Sequence, residues 1–226
     1  MPIEDFVSFC ADQFSSLSDI KAGDEAINDA IQRNHANIEK WCVYQKLALV
    51  STFYKTPIYN TRKLANHIFV HGEMLDRYLS LGDLQAVAII RQGHNIRTRN
   101  NNEWDFFSFA SKYACWHEPN KYAIFDRLVA KLLVDLNKQL HFCETPVNRR
   151  QFDGTNGYAC FKDIIDNFSE RFNLVSARYK QLDQGMWVWA KCRYKPNDVM
   201  EVLEGVKRQF VNLVTPQVNG SGVWWV

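Results

Sequence analysis

Residues 101–136 read NNEWDFFSFASKYACWHEPNKYAIFDRLVAKLLVDL, and this segment decides the fold that the sequence predicts. Apolar residues recur three and four positions apart on both sides of Pro119, which is the spacing of neighbours on one helix face. The pattern predicts a helix over 104–117, a connector broken by the proline, and a second helix that begins at Asp126.

Two polar residues of this segment suggest chemistry. Lys112 lies on the predicted first helix between Phe109 and Trp116, where loss of water would lower the pKa of its amine. Asp126 stands where an N-cap carboxylate stands, directly before an apolar helix. From spacing alone, a solvated lysine beside an ordinary capped helix is the commoner arrangement. A lysine and a carboxylate that converge on one site is the alternative.

The remainder of the chain predicts an all-α protein, since no segment alternates as strands do. The sequence places helices at 3–14, 24–53 with a break near Asn34, 61–68, 84–90, 158–172, 176–192 and 197–214, and a turn at 17–23.

We expect a single unit over residues 1–226, because the chain shows no linker or internal repeat. Its predicted parts are an acidic N-terminal helical layer (1–40), a helical core with the hairpin and Asp126 (41–140), and C-terminal helices that complete a pocket (141–226). The first part carries eight acidic and three basic side chains, a balance of −5, which leaves +7 on the remainder because the total is +2. This asymmetry is compatible with a basic body that binds nucleic acid and an acidic layer turned away from it.

Composition argues against several classes of protein. No run of about 18 uncharged apolar residues is present to cross a membrane, and the N-terminus lacks the pattern of a signal peptide, so we expect a cytoplasmic protein. The six cysteines are far apart and form no Cys-x-x-Cys pair, so neither a zinc site nor a disulfide framework is predicted. We expect no metal and no cofactor.

The segments FSFASKYACWHEP (107–119) and YAIFD (122–126) resemble the catalytic region of the helix-hairpin-helix DNA glycosylases, in particular the 8-oxoguanine branch. VSTFYKTPIYNTRKLANHI (50–68) and YKQLDQGMWVW (179–189) extend the resemblance to about residues 45–195. It implies a helix-hairpin-helix glycosylase-like helical fold, with Lys112 as nucleophile and Asp126 as electrostatic and acid/base partner. One departure is clear: residues 100–108 contain no glycine where the superfamily carries a glycine-rich turn that grips a DNA phosphate.

The resemblance also implies a pocket for an extruded base, formed by Phe109, Trp116, Asp183 and Trp187. Trp116 and Trp187 correspond to the positions that stack on the two faces of the base, and Asp183 to the helix that contacts its edge. Core packing is the ordinary alternative for tryptophans at helical spacing.

Contacts with DNA are expected at two loops. Tyr54 and Lys55 correspond by position to the wedge that fills the gap left by an extruded base, although a capped turn with an exposed tyrosine is equally compatible. In the polar loop 92–102, Arg97 and Arg99, with the neighbouring Arg91, are candidate phosphate contacts in place of the missing glycine turn.

The function that this resemblance implies is a monomeric DNA glycosylase acting on double-stranded DNA, with Schiff-base lyase activity from Lys112 and 8-oxoguanine as the first expected substrate. One alternative is an antiviral glycosylase that excises a bulky base, such as glucosylated hydroxymethylcytosine, from phage DNA. A second is a DNA-binding or interaction module that has kept the fold and lost catalysis.

Overall fold

A computed structural model describes residues 2–56, 58, 60–93, 96, 104–175 and 177–195, and every structural statement below concerns these residues. They form ten α-helices and a 3-10 turn, with no strand among them, which confirms the all-α prediction. The helices are α1 Ile3–Ser15, α2 Ser18–Arg33, α3 Lys40–Phe53, α4 Thr61–Val70, α5 Gly72–Leu81, α6 Gln85–Gln92, α7 Phe107–His117, α8 Arg127–Leu140, α9 Gly157–Arg171 and α10 Tyr179–Tyr194, and the 3-10 turn is Arg149–Phe152. None of these helices is long and apolar enough to cross a membrane.

One cluster of buried apolar side chains runs through the described helices, from Ile3 in α1 to Cys192 in α10. Among the described helices, α1 and α10 make the most extensive contact with each other. Gly185 makes their close approach possible, because a Cβ atom there would lie 2.3 Å from the carbonyl oxygen of Val7. The last described helix, α10, is thereby held against α1.

Most predicted helices are confirmed to within a few residues, with two corrections. The turn expected at 17–23 is wrong: α2 already begins at Ser18, and Gly23 lies inside it, where a side chain would collide with the ring of Phe53. Helix α7 begins at Phe107 rather than at residue 104, because Asp105 accepts a hydrogen bond from the Phe107 backbone amide at 2.9 Å. The helix predicted at 197–214 lies outside the described residues.

A buried polar network fixes α7 to its neighbours. The Lys46 ammonium donates to the backbone carbonyls of residues 35 and 36, each at 3.1 Å, and to Asn37 Oδ1 at 2.7 Å. Asn37 also accepts a hydrogen bond from the Tyr113 hydroxyl of α7 and donates to the Asp76 carboxylate of α5. Burial lowers the pKa of Lys46 to about 8. Every donor of this lysine therefore has an acceptor, and the network holds the helix that carries Lys112.

The connector between α7 and α8 is held at both of its sides. Tyr122 is fully buried and its hydroxyl donates to the backbone carbonyl of Tyr78 in α5 at 2.9 Å. Ser111 Oγ on α7 accepts a hydrogen bond from the Phe125 amide at 2.9 Å, and Tyr158 of α9 donates to the carbonyl of Ala123 at 3.0 Å. These bonds set the position of the next residue, Asp126, relative to α7.

Candidate functional site

Lys112 lies in the middle of α7 with 5% of its surface exposed. Its ammonium donates to the hydroxyl of Ser108, one turn earlier, at 2.6 Å, and lies 5.5 Å from the ring centre of Tyr54. Among the described residues no carboxylate forms an ion pair with it. Burial lowers the pKa of the Lys112 amine below its ordinary value, while the charges of Asp183 and Asp126 act to raise it. The site thus holds a desolvated amine that faces two acids from beyond ion-pair distance.

Asp126 caps α8, as the sequence predicts. One oxygen, Oδ1, accepts hydrogen bonds from the backbone amides of Leu128 at 2.7 Å and Val129 at 3.3 Å. The carboxylate is only partly buried, and its charge acts on both Lys112 and Asp183. It is a structural cap and, at the same time, a negative charge beside the buried amine.

Asp183 is a buried acid whose pKa is raised far above its ordinary value. It lies on α10 with 9% of its surface exposed, and its buried Oδ1 has no hydrogen-bond partner. Burial raises its pKa to about 8, while the positive charge of Lys112 acts to lower it. A buried oxygen without a partner is uncommon and marks a place for a ligand atom or a proton. At neutral pH this side chain is mainly a neutral carboxylic acid, which can donate a hydrogen bond.

Aromatic rings form one wall of the site. Trp116, one turn after Lys112, packs edge to face with Tyr54, with ring centres 6.4 Å apart. Its buried indole N–H has no hydrogen-bond partner among the described residues. Burial raises the pKa of Tyr54 well above its ordinary value, so the phenol stays neutral. The Lys180 ammonium lies 4.2 Å from the centre of the Trp116 ring and closes this side.

The acidic N-terminal layer is not turned away from this site as a whole, contrary to the expectation from charge. Asp24 of α2 forms an ion pair with Lys180 of α10 and accepts a long hydrogen bond from Gln184 at 3.5 Å. Helix α2 therefore lies beside Trp116, because Lys180 contacts both Asp24 and the Trp116 ring. Asp24 and Lys180 are 156 positions apart, and the local sequence around them does not predict the pairing.

The structure separates the other residues predicted for the pocket. Trp187 lies against Phe14 of α1, with ring centres 5.2 Å apart, and under the Lys191 ammonium at 5.1 Å, rather than against Trp116. Phe109 is 1% exposed and packs on Tyr113 at 5.7 Å within the core. Of the four residues predicted to line the pocket, the described contacts therefore place Trp116 and Asp183 around Lys112.

The predicted DNA contacts also differ in position. Tyr54 faces Lys112, whereas Lys55 is exposed in the left-handed region at φ 48° on the turn that follows α3. Arg97 and Arg99 lie outside the described residues. Arg91 is already bound: it pairs with Asp105 at 2.9 Å and lies 4.2 Å from the centre of the Phe107 ring. Arg91 is thus a structural residue that orders the start of α7.

A metal is not needed to explain this geometry, and in the described part of the chain no three histidine, cysteine, aspartate or glutamate side chains are grouped to hold one. The arrangement provides a buried amine, a capping carboxylate, a protonated acid and aromatic surface. Ser108 was not predicted as a site residue, although its position could have indicated it, because a hydroxyl four residues before a buried lysine lies on the same helix face.

Comparison with known proteins gives a family. Residues 6–121, more than half of the chain, match the family described as HI_0787_N: N-terminal domain, and the chain belongs to it. A protein of Haemophilus influenzae described as "Uncharacterized protein" is 30% identical over 149 residues, and the match covers 66% of each chain, just under two thirds. No solved structure matches the chain. The family match includes Lys112, Tyr54 and Trp116 and ends before Asp126 and Asp183.

Proposed function

We propose that this member of the HI_0787_N family is a monomeric cytoplasmic DNA glycosylase that acts on double-stranded DNA, with Lys112 as its nucleophile. The observation that carries the proposal is the environment of the Lys112 amine, which is 5% exposed and bound to a hydroxyl, with no ion pair among the described residues. Lys46 provides the contrast, since it is also buried but has three acceptors. A lysine that lacks such partners is held ready to lose its proton and react.

The reaction proceeds through a covalent intermediate. The lone pair of the neutral Lys112 Nζ attacks C1′ of an extruded nucleotide, and the bond to the base breaks with its electrons on the base, which takes up a proton. Opening of the sugar ring, with protonation of its oxygen, gives a Schiff base between Nζ and C1′. Loss of a proton from C2′ then breaks the C3′–O bond and cuts the strand. The amine must be neutral to begin, and burial favours that form.

The two acids have different roles in this scheme. Asp126, partly buried at the start of α8, stabilises the positive charge that develops on the sugar as the base departs. Asp183 is protonated at neutral pH and donates a hydrogen bond or a proton to the base. The Trp116 ring, at one edge of the site, offers a face for stacking.

The test is borohydride trapping on duplexes that carry an abasic site, 8-oxoguanine or glucosylated hydroxymethylcytosine, the substrates of the two enzyme hypotheses. We expect a covalent protein–DNA adduct with the native protein, none with Lys112→Gln, and an undiminished adduct with Lys138→Gln, which changes an exposed lysine of α8 in the same way. The duplex that releases its base identifies the substrate. An adduct that persists in Lys112→Gln, or the absence of both adduct and base release on all three duplexes, would refute the proposal.

A non-catalytic DNA-binding module is the second candidate, favoured by the role of Asp126 as an N-cap for two backbone amides. In that case the only role of the Asp126 carboxylate is to cap α8. Equal duplex affinity in the native protein and Lys112→Gln, with no base release by either, is the result that selects this function over the glycosylase.

A further inference from the structure

A groove of about 390 Å³ opens beside Asp126, between the start of α8 and the 3-10 turn Arg149–Phe152. Its wall carries three exposed guanidinium groups, those of Arg127, Arg149 and Arg150, and we name it the arginine groove. Asp153 supplies the one carboxylate among its lining residues. The lining therefore has a clear excess of positive charge.

The floor of the arginine groove is rigid. Phe125 stacks on Phe107 with ring centres 3.9 Å apart and planes 6° from parallel. Phe152 packs edge to face on Phe125 at 6.1 Å, and both rings contact Phe161 of α9. These buried rings fix the 3-10 turn against α8 and α9, so the three arginines project from a firm base rather than from a free loop.

The three guanidinium groups have no structural task that accounts for them. Within the described residues, none of them makes a hydrogen bond or an ion pair, although Asp153 lies in the same groove. Arg91 shows what a structural arginine looks like in this protein, with its carboxylate and a second bond to the carbonyl of Gly154. Arginine recognises phosphate oxygens through paired N–H donors, and its weak hydration favours such contacts.

We infer that the arginine groove binds the phosphodiester backbone of the DNA strand that carries the target nucleotide. This inference rests on the proposed function for the identity of the polyanion. Phe125 and Arg127, which both line the groove, flank Asp126 in the chain, so phosphates held there lie directly beside the reacting nucleotide. The hydrogen bond from Arg91 to Gly154 ties this region to the end of α6. The groove thus provides the phosphate grip that a glycine-free segment 100–108 does not supply.

The test is the salt dependence of duplex binding, measured by fluorescence anisotropy with the full chain and a duplex that carries a stable abasic analogue. For Arg149→Gln/Arg150→Gln, we expect the slope of log affinity against log salt to become shallower by about 1.8, since each phosphate contact contributes about 0.9. Between about 50 and 200 mM salt, the native protein then loses roughly 12-fold more affinity than the variant. The matched control, Arg33→Gln/Lys138→Gln, removes two exposed cations elsewhere and should leave the slope unchanged.

Two further variants test whether the shallower slope comes from the lost charge, from a change in the fold, or from DNA binding at a different groove. Arg149→Lys/Arg150→Lys keeps both charges and should retain the native slope; an equally shallow slope there would assign the loss to the fold and overturn the inference. A second basic groove, of about 620 Å³, carries Arg62 and Lys63. A slope that flattens in Arg62→Gln/Lys63→Gln but not in the arginine-groove variant would likewise overturn the assignment.

The outcomes distinguish this inference from the proposed function. Salt-dependent binding that weakens in Arg149→Gln/Arg150→Gln without any borohydride adduct would remove the glycosylase function and leave the arginine groove as a DNA contact. Trapping that depends on Lys112, with an unchanged salt slope in Arg149→Gln/Arg150→Gln, would exclude the arginine groove as the phosphate contact and support the glycosylase proposal. No binding of the native protein to any duplex would refute both.

Discussion

Replacing Asp183 with Asn tests the electrostatics of the site without reference to DNA. The carboxyl group is 9% exposed, has an oxygen without a hydrogen-bond partner, and has its pKa raised by burial from 3.8 to about 8. The folded protein therefore holds a proton that the unfolded chain releases between these two pH values. A raised pKa of an acid makes the folded state less stable as pH rises through that window. The Asp183→Asn variant does not lose stability in this way, because asparagine does not ionise.

The size of the effect follows from the shift. One pKa unit corresponds to about 1.36 kcal/mol, so each pH unit inside the window costs the native protein up to that amount. From about pH 5 to pH 7 the free energy of unfolding of Asp183→Asn should rise by about 3 kcal/mol relative to the native protein. Lys112 does not contribute to the difference in stability between the two proteins. Below about pH 8 Asp183 is neutral, so the lysine lies beside an uncharged residue in both of them.

The assay is urea denaturation of both proteins at several pH values from about 5 to 8, with stability extrapolated to water. Asp163→Asn on the exposed face of α9 is the matched control and should show a difference from the native protein that does not vary with pH. A difference between the native protein and Asp183→Asn that stays constant within about 0.5 kcal/mol would mean that the carboxyl group ionises normally in the fold. The acid/base assignment for Asp183 would then fail.

Three other changes test the fold around the site. Lys46→Gln leaves Asn37 and two backbone carbonyls without their buried donor, so the free energy of unfolding in urea at pH 7 should fall by about 3 kcal/mol or more; a loss under about 1 kcal/mol would contradict the network. His117 has its pKa lowered well below 6.5 by burial, so protons bind the unfolded chain as pH falls below 6.5 and stability is lost there. Between about pH 7 and 5 the melting temperature of the native protein should fall further than that of His117→Leu, and equal falls would show a normal histidine. Gly185→Ala places a methyl group against the carbonyl oxygen of Val7 and should lower the melting temperature by about 5 °C, whereas an unchanged value would mean that the two helices separate freely.

The local elements were predictable from sequence because helical periodicity and capping are local. The apolar spacing in 127–140 and the aspartate before it fix both the start of α8 and the role of Asp126 as its cap. Asn60 likewise caps α4 through a side chain that accepts a hydrogen bond from the Lys63 amide. The turn expected at 17–23 failed for a tertiary reason, since Gly23 serves the packing of Phe53 and not a break in the helix. A glycine alone does not reveal which of these two roles it has.

The site was predictable only where its residues are close in sequence or carry the family resemblance. The sequence places Lys112, Trp116 and Asp126 within fifteen residues of one another, so local helical spacing could predict that they lie close together. The ion pair between Asp24 and Lys180 depends on how α2 meets α10, which no local pattern encodes. The Trp187 ring was assigned to the pocket by position, but the contact of α1 with α10 gives it Phe14 as its neighbour.

The two buried lysines show why burial alone does not identify a reactive residue. Lys46 and Lys112 both lie on apolar helices, and burial lowers the pKa of each amine. What separates them is the set of acceptors: Lys46 donates to three oxygens that belong to the fold, whereas Lys112 donates to one hydroxyl, and its two neighbouring acids stay beyond ion-pair distance. Removing Lys46 therefore leaves three acceptors of the fold without a donor, whereas removing Lys112 breaks one hydrogen bond, that to Ser108. The glycosylase proposal therefore requires that a sugar and its base reach the Lys112 amine beside Asp126 and Asp183, and the borohydride test decides whether they do.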